Sequence, residues 1–186
     1  MSNNSVNNKD NSGLIETYEW IQCIIVALIF CVLLFVFFVR VVNVVGSSMY
    51  PTLENSDKMI VSNMFYKPKN GDIIVFQKDE YADYALVKRV IATEGQTIDI
   101  DFNTHIVYVD GVALDEPYIA EPTMNRIDFN GEQVVPEGCI FVMGDNRNDS
   151  TDSRDNRISM VDTRNVIGRV YFVLFPFDHF GNPNGK

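Results

Sequence analysis

Two residues in this sequence, Ser48 and Lys88, have side chains that could act as a nucleophile and its base. Ser48 lies in the stretch Gly-Ser-Ser-Met-Tyr-Pro-Thr-Leu at residues 46–53, which follows directly on the long apolar run of the chain. The small residues allow a tight turn, and Pro51 fixes its own φ and favours an extended residue before it. Ser48 is thus a hydroxyl on a bent, stiffened segment. The alternative is a Ser/Pro linker between a membrane helix and its domain.

Lys88 lies within the mostly apolar stretch Tyr-Ala-Leu-Val-Lys-Arg-Val-Ile at residues 84–91. A lysine among core residues must reach water, pair with an acid or lose its proton, because a buried charge is costly. Burial favours the neutral amine and lowers its pKa, whereas a lysine in water is almost fully protonated near neutral pH. A neutral lysine beside a serine hydroxyl is a Ser-Lys dyad, a known substitute for Ser-His-Asp. The alternative is that Lys88 faces solvent on the polar side of a strand.

A polar loop at residues 144–154, Gly-Asp-Asn-Arg-Asn-Asp-Ser-Thr-Asp-Ser-Arg, follows the apolar residues 139–143. Loops supported by a rigid strand commonly carry functional sites. Its acids and arginines are balanced, so they can pair with one another through the planar guanidinium groups and form a structural clamp. A calcium loop is the alternative, but the spacing is not that of an EF-hand and the interleaved arginines would repel the cation.

Composition limits the classes of function. The 186 residues have a formal net charge of −10, which argues against a nucleic-acid partner because such proteins need clustered Lys and Arg. Two of the three cysteines lie inside the apolar run, so Cys139 is alone in the rest of the chain and no disulfide is expected there. No metal-ligand spacing such as C-x-x-C occurs. The chain has only two histidines, which argues against a histidine-based metal site.

Residues 21–39 form an almost continuous apolar run, about the length that a helix needs to cross ~30 Å of hydrocarbon. Tyr18 and Trp20 precede it, where interfacial aromatic residues belong, and Arg40 follows it. A cleavable signal peptide is the alternative, but no basic segment precedes the run and no small-x-small site follows it directly. The sequence therefore predicts an uncleaved transmembrane anchor at residues 20–40, preceded by a disordered tail at residues 1–19.

Short β-branched and apolar runs separated by turns fill the rest of the chain, and helical periodicity is weak there. This pattern predicts a mainly β domain. The candidate strands cover residues 41–45, 58–63, 73–76, 84–92, 97–102, 105–109, 139–143 and 166–175. Asp110-Gly111 is the strongest hairpin signal. The candidate site residues lie on both sides of residues 95–137, which predicts a candidate catalytic β core at residues 41–94 and 138–178. The same pattern predicts an inserted β lobe at residues 95–137 and a C-terminal tail at residues 179–186.

These motifs together resemble those of bacterial type I signal peptidases, the S26-type, membrane-anchored Ser-Lys endopeptidases that remove signal peptides from exported proteins. The resemblance covers the chain from the anchor to about residue 173. Its motifs are Ser-Met-x-Pro-Thr-Leu at 48–53, Gly-Asp-Ile-Ile-Val-Phe at 71–76, Lys-Arg-Val-Ile at 88–91, and Gly-Asp-Asn-Arg with Ser-x-Asp-Ser-Arg at 144–154. The fold that it implies is one N-terminal transmembrane helix followed by an all-β, signal-peptidase-like catalytic domain with a smaller inserted β lobe.

The resemblance implies a role for each matching residue. Ser48 becomes the nucleophile and Lys88 the general base, and Ser150 holds the lysine amine in position. The residues that build the loop around the site are Asp145, Arg147, Asp152 and Arg154. The backbone N–H of Ser48 becomes part of the oxyanion hole. A serine that supplies a second donor in some members is replaced by Gly46 here, so backbone, water or Ser47 must supply that donor.

The resemblance also implies the substrate, the signal peptides of exported preproteins, cut after small residues in an Ala-X-Ala pattern. Such a peptide would add as a strand to a sheet edge, with shallow pockets selecting its side chains. The expected lining is Met49, Leu53, Leu86 and Val87 for the first pocket and Val42, Val44, Met59 and Val75 for the third-residue pocket. The reaction passes through an acyl-enzyme and needs no cofactor and no metal.

The family implies a single-pass protein of the bacterial plasma membrane, with the β domain on the extracytoplasmic side and residues 1–19 in the cytoplasm. The sparse charges that flank the apolar run lean the other way under the positive-inside rule. The lipid bilayer and the protein translocation machinery are further expected partners. Two alternatives remain open: a self-cleaving Ser-Lys repressor, which would carry a DNA-binding domain in place of an anchor, and a non-catalytic, membrane-anchored β domain that binds peptides.

Overall fold

A computed structural model describes the backbone of residues 6–38 and 40–185 and the side chains of residues 13–33 and 40–184. The chain divides into two compact units, with the boundary between residues 39 and 40. The first unit is helical and the second consists mainly of β-strands.

The first unit is a single described helix, α1 (Val6–Phe38). Its segment Gly13–Leu33 is long and apolar enough to cross a membrane, and none of that segment is buried in the described protein. The helix starts at Val6, so residues 6–19 are helical where the sequence predicts a disordered tail; residues 1–5 lie outside the described residues. The physical reason is that this stretch contains no proline, and adding turns to an existing helix needs no new nucleus.

The second unit contains two antiparallel sheets within residues 40–185. In chain order its elements are β1 (Arg40–Asn43), β2 (Lys58–Ser62), β3 (Ile73–Phe76), β4 (Leu86–Thr93), β5 (Thr97–Asp101), β6 (Ile106–Val109), β7 (Val112–Ala113), β8 (Gln133–Val134), β9 (Cys139–Met143), β10 (Val161–Asp162) and β11 (Val166–Phe175), with 3-10 helices at Thr163–Asn165 and Pro183–Gly185. The larger sheet has the order β1-β2-β11-β3-β4-β9-β10, and the smaller one has the order β7-β6-β5-β8. The predicted fold class is confirmed, because the smaller sheet is inserted between β4 and β9.

Most strands fall where the sequence predicts them. The apolar runs 73–76, 139–143 and 166–175 become β3, β9 and β11 with unchanged bounds. Asp110 and Gly111 have φ values of 52° and 74°, the two positive values that a type I′ turn between β6 and β7 requires. The strands β7, β8 and β10 are not predicted, because two residues are too few to show an alternating pattern.

The core of the larger sheet pins the segment that carries Ser48. Met49 and Leu53, on either side of Pro51, are buried at 2% and 0% exposure. They pack in one apolar cluster with residues of β2, β3 and β11. A second cluster joins the two sheets, with the rings of Phe129 and Phe141 edge to face at a centroid distance of 5.9 Å. The inserted lobe is therefore packed against the strands that border the site.

The C-terminal residues pack on the domain. The Asn184 side chain accepts a hydrogen bond from the backbone N–H of Ile73 and donates one to the carbonyl oxygen of Val170. His179 lies 3.1 Å from Asp57, a carboxylate that is almost fully buried. The predicted tail at residues 179–186 is thus attached to the larger sheet over the part of it that the structure describes.

Candidate active site

The structure brings Ser48 and Lys88 into direct contact. The Nζ of Lys88 lies 2.7 Å from the Oγ of Ser48, and it also donates a hydrogen bond of 3.0 Å to the carbonyl oxygen of Val87. The two residues are 40 positions apart in the chain, so tertiary structure and not a local turn places them together.

Different elements hold the two side chains. Ser48 lies in the turn between β1 and β2, where the backbone N–H of Tyr50 donates to the carbonyl oxygen of Ser47 at 3.0 Å. Lys88 lies in β4, opposite Ile74 of β3. Because β4 is buried on both faces, Lys88 is only 3% exposed, and the alternative in which it points to solvent is wrong.

The surroundings of Lys88 weaken its hold on a proton. Burial lowers the pKa of Lys88 from its ordinary value of 10.5 to about 8, because an ammonium ion loses its hydration in the protein interior. The carboxylates of Asp152 and Asp145 act in the opposite direction and limit the drop in pKa. A substantial fraction of the amine is therefore neutral slightly above neutral pH.

A buried carboxylate connects the segments that carry these groups. Asp145 accepts two hydrogen bonds from Arg89, from Nε to Oδ1 at 2.8 Å and from Nη2 to Oδ2 at 2.6 Å. Its Oδ2 also accepts a hydrogen bond of 2.5 Å from the hydroxyl of Thr52. Thr52 belongs to the turn of Ser48 and Arg89 follows Lys88, so the carboxylate joins both segments to the polar loop. Sequence reasoning missed Thr52 and Arg89 as site residues, although both lie inside the quoted motifs.

The inserted lobe supplies the partners of Arg147. Its guanidinium donates to both carboxylate oxygens of Glu116 and to the hydroxyl of Thr123. The centroid of the Tyr118 ring lies 3.9 Å from the guanidinium carbon of Arg89 and 5.9 Å from the guanidinium carbon of Arg147. The prediction that the acids and arginines of the loop pair with one another is therefore wrong for Arg147. No motif marks the lobe residues, so the sequence carried no signal for them.

Asp152 and Arg154 do pair within the loop, as the sequence predicts. Arg154 donates from Nε to Oδ1 at 2.9 Å and from Nη2 to Oδ2 at 2.8 Å, and the backbone N–H of Gly144 donates to the same carboxylate. Burial alone would raise the pKa of Asp152, but the hydrogen bonds and charge of Arg154 hold it below its usual range. Arg154 also donates to the carbonyl oxygen of Arg147, which ties the two halves of the loop together.

Ser150 lies at the site without the predicted contact to Lys88. Its Oγ is buried and has no hydrogen-bond partner of good geometry in the described part of the chain, although it lies close enough to Asp152 to help lower the pKa of that carboxyl. The Lys88 amine instead donates to Ser48 and to the backbone of its own strand. Gly144 lies between the Ser150 hydroxyl and the Ser48 carbonyl oxygen. A Cβ at residue 144 would collide with both of them. Close packing of the loop against the Ser48 turn thus requires glycine at residue 144.

A cleft of about 580 Å³ opens beside Ser48 and Lys88. The predicted pocket residues in its wall are Val42, Val44, Met49, Leu86 and Val87. Leu53, Met59 and Val75 are instead fully buried, in the core cluster of the larger sheet. Met59 and Val75 pair across the sheet with Val42 and Val87 and share their face, but the packing of this cluster covers them, which motif position alone does not reveal. The lining residues that the sequence does not predict as pocket residues are Asn43, Val45, Gly46, Tyr84 and Ala85, besides Ser48 and Lys88 themselves.

The backbone around Ser48 is held from both sides. The N–H of Gly46 donates to Asn55 at 3.0 Å, and the hydroxyl of Ser47 donates to Asp149 at 2.7 Å. Among the described residues, the backbone N–H of Ser48 has no hydrogen-bond acceptor. It therefore remains available to a ligand, whereas the Ser47 hydroxyl is already engaged.

Comparison with known proteins gives a consistent assignment. The family described as signal peptidase, peptidase S26, matches residues 17–175. The chain is 40% identical to a probable signal peptidase I-1 of Synechocystis sp. over 174 residues, which is 88% of this chain and 85% of that protein. It is 35% identical to a signal peptidase I of Bacillus licheniformis over 193 residues, covering 96% of this chain and 97% of that protein.

A crystal structure of a signal peptidase I from Enterococcus faecalis is also similar, with 31% sequence identity and a TM-score of 0.44 over 59% of this chain and 98% of that one. The family match and the two relatives each extend over most of the sequence. On that evidence, the chain belongs to the peptidase S26 family of signal peptidases.

Proposed function

We propose that this chain is a membrane-anchored serine endopeptidase that removes signal peptides from exported preproteins by means of a Ser48–Lys88 dyad. The observation that carries the proposal is the 2.7 Å contact between Lys88 Nζ and Ser48 Oγ in a buried setting. Membership of the signal peptidase family supports the substrate class. The same membership favours this function over a repressor or a non-catalytic binding domain.

The proposed reaction begins with Lys88 in its neutral form. Its amine accepts the proton of Ser48, and the Ser48 oxygen forms a bond to the carbonyl carbon of the scissile peptide. The negative charge that develops on the carbonyl oxygen is stabilised by the free backbone N–H of Ser48. Lys88 then gives the proton to the departing amine, which leaves an ester between Ser48 and the signal peptide.

The second half of the reaction hydrolyses this ester. Lys88, neutral again, accepts a proton from water while the water oxygen bonds to the ester carbon. Collapse of the intermediate breaks the bond to Ser48, whose oxygen recovers the proton from Lys88. The residues Asp145, Arg147, Asp152 and Arg154 contribute by holding the loop that packs against Ser48, and Ser150 adds a buried hydroxyl close to the reacting groups.

The cleft beside Ser48 and Lys88 supports a proposal about the residues that precede the cut. Its apolar lining includes Val44, Met49 and Leu86, which suits small apolar side chains. An extended peptide lying between the segments 42–46 and 84–88 would pair with their backbone and present its side chains to this lining. We therefore propose cleavage after small residues in an Ala-X-Ala pattern.

The apolar helix gives the proposal its location. A segment able to cross a membrane precedes the β domain, and signal peptides are cut after they have crossed the bilayer. We propose a single-pass protein of the bacterial plasma membrane, with the catalytic domain on the extracytoplasmic side and the bilayer and translocation machinery as its surroundings.

Replacing Ser48 with Ala should abolish processing, because the site then lacks the hydroxyl that attacks the peptide. The test is to incubate the detergent-solubilised protein with a preprotein and to map the cut by mass spectrometry. Ser47→Ala is the matched control: it loses only the bond to Asp149 and should keep most activity. Full activity of Ser48→Ala would eliminate the serine peptidase mechanism, and an inactive Ser47→Ala beside an active Ser48→Ala would move the nucleophile by one residue.

The acylation rate should rise with pH through an apparent pKa of about 8, because only the neutral amine accepts a proton and burial lowers the pKa of Lys88 to about 8. Single-turnover kinetics between about pH 6 and 10 measure this profile. Lys88→Arg should show no activity at any of these pH values, because a guanidinium keeps its proton. Substantial activity in that variant would mean that the positive charge, and not proton transfer, is required.

Protease added to intact protoplasts should digest the β domain, if the domain lies outside the plasma membrane. A cytosolic marker that survives the treatment serves as the control for intact protoplasts. Digestion of the β domain only after lysis would place it in the cytoplasm and would overturn the proposed orientation.

A further inference from the structure

Asn146 contacts the backbone on both sides of Ser48. Its side-chain Nδ2 donates to the carbonyl oxygen of Ser47 at 3.2 Å. Its backbone N–H donates to the carbonyl oxygen of Ser48 at 3.1 Å. One residue of the polar loop therefore holds the two peptide groups that flank the proposed nucleophile.

The first of these contacts determines where the backbone N–H of Ser48 points. The carbonyl of Ser47 and the N–H of Ser48 belong to the same planar, trans peptide group, so the two bonds point in opposite directions. Donors on the Ser47 carbonyl oxygen, from Asn146 and from the N–H of Tyr50, fix the rotation of that plane. The Ser48 N–H is thereby directed away from Asn146 and Tyr50, and it has no acceptor among the described residues.

The backbone of Asn146 is itself held on both sides. Asp145 is fully buried in its bidentate contact with Arg89, and Arg147 is buried in its contact with Glu116. Asn146 is half-buried between them. A side chain carried by such a fixed backbone can hold a neighbouring peptide plane with little loss of entropy on reaction, which is the requirement for a preorganised oxyanion hole.

We infer that Asn146 is a positioning residue of the oxyanion hole, which orients the Ser47–Ser48 peptide so that the Ser48 N–H meets the developing oxyanion. The inference rests on the proposed function. The amide NH2 is the required group, because a carboxylate at residue 146 would oppose its oxygen to the Ser47 carbonyl oxygen and repel it.

The test compares the full-length protein with Asn146→Asp and Asn146→Ala, with a signal-peptide substrate in detergent. Loss of one oxyanion-hole donor costs on the order of 10²–10³ in kcat, and a misdirected donor costs less, so we expect kcat to fall about 10–100-fold with KM nearly unchanged. A peptide aldehyde, which forms a tetrahedral adduct with a catalytic serine, should bind weaker by a factor similar to the loss in kcat/KM. The thermal unfolding midpoint of the isosteric Asp variant should change little.

Asn148→Asp is the matched control. The side chain of Asn148 bonds to the inserted lobe, accepting from the backbone N–H of Met124 and donating to Glu121. The Asn148→Asp substitution should therefore change the unfolding midpoint, while kcat and the affinity for the aldehyde stay at the parent values.

Two results would overturn the inference. One is parental kcat in Asn146→Asp, and the other is a fall in kcat without any change in aldehyde affinity, which would place the effect outside the oxyanion step. Failure of the proposed function gives a different pattern, since the parent protein would then cleave the substrate in a manner independent of Ser48, or not at all.

Discussion

Three segments of the chain meet at the buried carboxylate of Asp145. Its bonds to Thr52 and Arg89 fix the turn of Ser48 and the strand of Lys88 relative to the polar loop. Removing one partner of a buried, hydrogen-bonded ion pair costs about 3–5 kcal/mol, because the other charge stays buried without compensation. The 2.7 Å distance between the dyad atoms is therefore maintained by a contact in which neither dyad residue takes part.

The charges that build this framework also affect Lys88, the proposed base. Burial lowers the pKa of Lys88, while Asp152 and Asp145 raise it. Each carboxylate is paired with an arginine, Asp152 with Arg154 and Asp145 with Arg89, so much of its negative charge is neutralised close to the amine. The structure thus places acids at the site for their hydrogen bonds and limits their effect on the lysine by pairing them.

The pairing of Ser48 with Lys88 and the positions of most strands could be predicted from the sequence, because family motifs and apolar runs mark them. Within the 144–154 loop, Arg154 pairs with Asp152 as the sequence predicts, but the acid that pairs with Arg147 is Glu116, from the inserted lobe. Such a pairing depends on how two sheets pack, and nothing in a linear pattern reports it. The same limit applies to the cleft, because the packing of the core covers Met59 and Val75 while their cross-strand partners Val42 and Val87 reach the cleft wall.

The fold buries Lys88 beside Ser48 and thereby lowers the pKa of its amine from 10.5 to about 8. An NMR titration of the lysine side-chain Nζ signals in the micelle-bound, full-length protein, between about pH 6 and 11, tests this claim most directly. The signal of Lys88 is identified by its loss in Lys88→Arg. The structure predicts a titration midpoint at about 8, and a midpoint at the ordinary lysine value of 10.5 would contradict the account.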